Sequence, residues 1–83
     1  PISDRFKKHY MKLTKQEQDQ FAQKLKLFSH NPYHPSLRTK PIQGTDNLFE
    51  FSVNMDIRVV WDYDTKDLVA IVDIGHHNLL KKY

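Results

Sequence analysis

Apolar side chains recur at two different periods along the chain, and the change of period divides it. Near the start, Phe6, Tyr10 and Leu13 stand at i, i+4 and i+7, the spacing of one helix face, just after Ser3-Asp4, which reads as a helix start. Arg5, Lys8, His9 and Lys12 then fall mostly on the opposite face. Thr14 and Glu17 have capping-box spacing, which predicts a second helix from about Lys15 to Phe28 with Phe21, Ala22, Leu25 and Phe28 as its apolar positions. Two helices joined at a cap form a hairpin whose apolar face needs a sheet to cover it.

Pro32 and Pro35 push the residues before them into extended backbone and end the helical region. Beyond them the period is two. Phe49, Phe51 and Val53 alternate with Leu48, Glu50 and Ser52; Asn54-Met55-Asp56 turns the chain; Ile57, Val59, Trp61 and Tyr63 alternate with Arg58, Val60 and Asp62. A second turn is expected at Asp64-Thr65-Lys66-Asp67. Residues 68–74 are apolar almost throughout, the pattern of a central strand buried on both faces. Lys40-Pro41-Ile42-Gln43 predicts a short further strand, kept at an edge by Pro41. The expected fold class is α+β: a two-helix hairpin packed on an antiparallel meander of three or four strands, one domain over residues 1–83.

Composition narrows what such a domain can do. The absence of cysteine excludes a disulfide scaffold, a thiolate zinc site and a cysteine nucleophile. No apolar run approaches the ~20 residues of a membrane span and no signal-peptide pattern opens the chain, so cytoplasmic residence without a membrane partner is expected. Charge is uneven. Residues 1–45 hold nine Lys and Arg against three acids, whereas residues 46–83 hold four against seven. A basic half suits a partner bearing phosphate or acidic side chains, and equally a solvated helix face.

Three places combine the fold pattern with chemistry. Arg58 is a fixed cation among strand-forming residues, either solvated on the wet face of the sheet or set to meet a phosphate. Asp73 interrupts the most apolar strand and needs a partner if buried, which favours a paired structural role. The ending Gly75-His76-His77-Asn78-Leu79-Leu80-Lys81-Lys82-Tyr83 places two imidazoles, two ammonium groups and a phenol together. Cleaving RNA through its 2′-hydroxyl needs a base, an acid for the 5′-oxygen and cations for the charge on phosphorus. His, Arg, Lys and Tyr meet those needs without a metal, and adjacent histidines on a strand point to opposite faces, which disfavours a metal site.

The ordered set His34-Pro35-Ser36-Leu37-Arg38, Lys40-Pro41-Ile42-Gln43-Gly44, Leu48-Phe49-Glu50-Phe51, Asp56-Ile57-Arg58-Val59-Val60-Trp61 and Asp73-Ile74-Gly75-His76-His77, closing on Tyr83, resembles the RelE/ParE superfamily of toxin–antitoxin toxins. Within it the resemblance is to the RelE/YafQ-like mRNA interferases, over about residues 4–83. It implies a RelE-like fold and a toxin that cuts messenger RNA in the ribosomal A site, with a cognate antitoxin, the ribosome and mRNA as partners and no cofactor. Carried over by position, Arg58 would stabilise the phosphate and His77 would be the acid–base group, with His76 in reserve. Lys40 would bind phosphate or assist proton transfer, Asp56 matches a turn acid, and Tyr83 would stack on a base or position the phosphate. Arg38, Lys81 and Lys82 join Lys40 as RNA-contact candidates. Two departures stand out: Ser52 occupies a position where some members have histidine, and only Pro1-Ile2 precede the first helix where members commonly have a strand. The alternatives within the same fold are a ParE-like DNA gyrase inhibitor without nuclease activity and a degenerate member that only binds its antitoxin.

Overall fold

The computed structural model describes residues 2–65 and 68–83. Ser3 caps α1 (Asp4–Tyr10), its hydroxyl accepting from the Phe6 N–H at 3.0 Å. The Thr14–Glu17 capping box is formed and starts α2 (Lys15–His30). A short 3₁₀ turn (Pro35–Leu37) leads into a sheet of β1 (Lys40–Pro41), β2 (Phe49–Ser52), β3 (Ile57–Tyr63) and β4 (Val69–His76), and a second 3₁₀ turn (His77–Lys82) closes the chain. The strands lie in chain order β1-β2-β3-β4, all antiparallel. Pro41 sits in an edge strand, as its missing N–H requires. Of the turn expected at Asp64-Thr65-Lys66-Asp67, Lys66 and Asp67 lie outside the described residues.

The period-2 pattern sorts the two faces of the sheet. Phe51, Val53, Ile57, Val59 and Trp61 join Phe6, Phe21 and Phe28 of the helices in the main core. Phe6 and Phe21 meet with ring centroids 5.4 Å apart, and Phe28 stacks on Phe51 at 4.9 Å. On the opposite face Ile42 and Val60 pack with Leu79 of the closing 3₁₀ turn, which lies across the sheet as a small second layer. Leu79 lies directly over Gly75, where a Cβ would stand 3.4 Å from Leu79 Cδ2, an ordinary packing distance.

Three expectations fail. Residues 69–76 form an edge strand rather than a central one. Their apolar character is explained by α1, which packs along β4, and by a register shift at Val60/Trp61. Val59 pairs with Ile74 and Trp61 with Ile71, so two residues of β4, Val72 and Asp73, stand where a regular ladder has one. His9 is the second departure. It is not on the solvated face of α1; its side chain is only 24% exposed and is turned toward Asp73 of β4. Ala22 is exposed, so the apolar stripe of α2 is narrower than its spacing suggests. The outer edge of β4 is met by Ile2, which forms a single parallel bridge to Ile71, with the Ser3 N–H donating to the Ile71 carbonyl at 3.1 Å.

Candidate active site

The connection between β2 and β3 is built on Asn54. Its side-chain oxygen accepts from the Asp56 and Ile57 N–H groups at 2.8 and 2.7 Å, a local turn that Asn favours. Its amide nitrogen donates to Gln20 at 2.8 Å and fastens the turn to α2. Asp56 is thereby presented beside the end of β4, because Ile57 pairs with His76 in the β3–β4 ladder. His76 Nδ1 donates to Asp56 Oδ2, and the His77 N–H reaches Asp56 Oδ1 at 3.4 Å. The hydrogen bond to Asp56 raises the His76 pKa above the usual imidazole value despite some desolvation, with weaker help from the charges of Asp56 and Glu17. The same bond, then the His77 N–H and the nearby charges of His76 and Arg58, lower the Asp56 carboxyl. Of the two histidines, His76 is therefore the one held by a carboxylate. His77 is exposed and engages Asp56 through its backbone alone among the described residues.

Arg58 stands one step along the same strand, opposite Gly75. Its side chain is 14% exposed and is gripped on several sides. Nη1 donates to the carbonyls of Asn54 at 2.8 Å and Ile57 at 3.2 Å, and Nε lies 3.8 Å from Glu50 Oε1. Glu50 in turn pairs with Lys40 in the β1–β2 ladder. Lys40 is exposed on β1, three strands from His76 on β4, so ~14 Å of sheet separate them at ~4.8 Å per strand. The structure thus gathers Asp56 and His76, sets Arg58 with Glu50 on the other face of the sheet, and leaves Lys40 apart. Arg38 is exposed, in left-handed backbone (φ 54°) at the end of the first 3₁₀ turn, near the β1 edge.

A different set surrounds Asp73, which is fully buried. Its carboxylate accepts from His9 Nδ1 at 2.6 Å, from the Tyr83 hydroxyl at 2.8 Å and from the Ile74 N–H at 2.9 Å. Arg5 Nη1 donates to the Tyr83 oxygen at 3.0 Å. Desolvation, and then the neighbouring carboxylate, raise the Tyr83 phenol, while the Arg5 hydrogen bond opposes them. Tyr83 is thus tied to α1 and β4 rather than to Arg58. The expectation that Asp73 needs a partner is met in the network itself, but His9 escaped the sequence reading. Its signal was present: His9 stands three residues after Phe6, on the margin of the apolar stripe.

Between the end of α1 and the end of β4 lies a cleft of about 280 Å³. His9 and Lys12 line it from one side, and Gly75, His76, Asn78 and Lys82 from the other. Lys82 is thus brought to His76, whereas Lys81 is exposed on the same 3₁₀ turn but does not line the cleft. Among the described residues no three His, Cys, Asp or Glu side chains are grouped to hold a metal ion, and no helix is long and apolar enough to cross a membrane.

No family model matches the sequence, and no curated protein matches it significantly. Solved structures do. YafQ from E. coli superposes with a TM-score of 0.78 at 18% identity, over 95% of this chain and 92% of that one. The RelB–RelE antitoxin–toxin complex of Methanococcus jannaschii gives 0.78 at 12% identity, over 99% and 95%. The RelE–RelB complex of Pyrococcus horikoshii gives 0.72 at 19%, over 90% and 89%. Helices, meander and closing turn together give this chain the fold of the RelE and YafQ toxins.

Proposed function

We propose that this protein is the toxin of a toxin–antitoxin pair, and that it is a metal-independent endoribonuclease cutting messenger RNA in the ribosomal A site. The observation that carries the reading is the Asp56–His76 pair at the paired ends of β3 and β4, with the charge of Arg58 felt at Asp56. Fold does not assign chemistry, and the site must. An imidazole whose Nδ1 is fixed by a carboxylate exposes Nε2 as its working atom, and a raised pKa keeps it protonated nearer neutral pH. His76 is then the donor that protonates the departing 5′-oxygen. Arg58, held by Glu50 and two carbonyls, is a preorganised cation for the RNA backbone beside the scissile bond.

The remaining positive groups fit contact with RNA on either side of the scissile bond. Lys82 lies in the cleft, Lys81 beside it, and Lys40 and Arg38 flank the far edge of the sheet. Tyr83 acts on this arrangement by anchoring the last turn through Asp73. The antitoxin partner rests on the RelE–RelB complexes with this fold. The test is to add the purified protein to translating ribosomes on a defined message and map RNA ends by primer extension. Cuts that need ribosomes and fall ~10²–10⁴-fold in His76→Ala are the expected result. A folded protein that leaves the message intact refutes the nuclease assignment.

A further inference from the structure

His76 alone cannot complete the reaction. Opening a phosphodiester through its 2′-hydroxyl requires one group to accept a proton while another gives one up. The cleft that His76 lines holds a second imidazole fixed in the same way. His9 Nδ1 meets Asp73 at 2.6 Å, and since a carboxylate accepts, Nδ1 carries the hydrogen and Nε2 is the ring nitrogen left for a ligand. Among the described residues the His9 ring forms no other hydrogen bond. Asp73 is fully buried and also takes the Tyr83 hydroxyl and the Ile74 N–H, so it holds the ring from a fixed base. Two carboxylate-held histidines thus line one cleft, with Lys12, Lys82 and Asn78 around them and Leu13, Ile74 and Leu79 as its apolar floor. Its volume of about 280 Å³ is at the small end of ligand sites, room for a phosphate and part of a sugar.

We propose that His9 is the general base of the nuclease, facing His76 across a cleft that takes one RNA phosphodiester, with Lys12 and Lys82 on its phosphate oxygens. This rests on the nuclease reading. His9 Nε2 removes the 2′-hydroxyl proton as O2′ bonds to phosphorus; the bond from phosphorus to O5′ breaks, and His76 Nε2–H protonates O5′. The products are a 2′,3′-cyclic phosphate and a 5′-hydroxyl, and the two imidazoles have exchanged protonation states, which water restores. The charged groups around His9 are Asp73 on β4, Arg5, Lys8 and Lys12 from the α1 region, and Lys82 and His76 from the other wall.

The experiment compares wild type with His9→Asn on ribosome-bound message, mapping ends and measuring single-turnover rates across pH. Asparagine places an amide N–H near the position of Nδ1, so Asp73 keeps a donor, and has no atom at Nε2. The expected result is an unchanged melting temperature, a rate lower by ~10²–10⁴-fold, and loss of the acidic limb of the pH–rate profile. Wild-type cleavage with His9→Asn within a few-fold of it overturns the base assignment and leaves the nuclease reading standing. A wild type that does not cut overturns both. If His9→Asn melts early, titration of the wild type with inorganic phosphate decides. His9 and His76 imidazole resonances moving together support the shared cleft, and movement of one alone overturns it.

Discussion

Replacing Tyr83 by phenylalanine removes one oxygen and asks whether the end of the chain is an anchor. That oxygen donates to Asp73 Oδ2 at 2.8 Å, and Asp73 is 0% exposed. Without it, a buried carboxylate oxygen loses its only side-chain donor among the described residues; the other oxygen retains His9 and the Ile74 N–H. Hydrogen bonds to charged groups contribute ~1.5–3 kcal/mol, and because Tyr83 itself is only half-buried the lower end applies, about 1.5 kcal/mol. In a domain of this size each kcal/mol moves the melting temperature by ~4–8 °C, so the variant should melt about 6–12 °C below wild type by calorimetry or circular dichroism. The same substitution in an Asp73→Asn background should cost much less, since the charged acceptor is gone. A Tyr83→Phe protein melting within about 1 °C of wild type would refute the anchor and return Tyr83 to the role of an RNA contact.

Two further substitutions probe the core and the histidine pair. Phe51, fully buried and stacked on Phe28, should cost ~3–5 kcal/mol as Phe51→Ala, a large share of the ~4–12 kcal/mol such a domain has, and urea titration reads the loss directly. Asp56→Asn should let the His76 pKa fall back toward its ordinary value, with Glu17 the carboxylate left near it and Lys82, Lys12 and His9 on the cleft walls, so the alkaline limb of the cleavage profile shifts to lower pH. For stability, the raised His76 contributes below ~6.5 and fades as pH rises through its folded value. The lowered Asp56 contributes above ~3.9 and fades as pH falls, so the pair is intact between about pH 4 and 6.5. A limb that stays put would show that Asp56 does not tune His76.

Much of the fold was legible because local patterns and tertiary packing agree. The Thr14–Glu17 box starts α2 where its spacing says, and alternation in β2 and β3 sorts Phe51, Val59 and Trp61 from Glu50, Arg58 and Val60. What the sequence concealed are places where distant residues decide. The bulge opposite Val60/Trp61 makes an edge strand read like a central one, since alternation is lost where an extra residue enters the ladder. Which of His76 and His77 meets Asp56 depends on β4 continuing to residue 76, two residues past its apolar run. Tyr83 was singled out for chemistry because its ties to Arg5 and Asp73 are set by the packing of α1 against β4.

That packing also sets a kinetic order. Each strand pairs with its neighbour in the chain, so the meander can zip from one hairpin to the next with short loop closures. The contact of His9 with Asp73 spans 64 residues, a longer closure that is expected to follow the pairing of β4. Probed by transition-state analysis, substitutions in the β2–β3 hairpin should slow folding, whereas His9 and Tyr83 variants should chiefly speed unfolding. On the proposed reading, the helix carrying the base is expected to seat last, so that a chain whose sheet has formed has no complete nuclease site until α1 docks on β4.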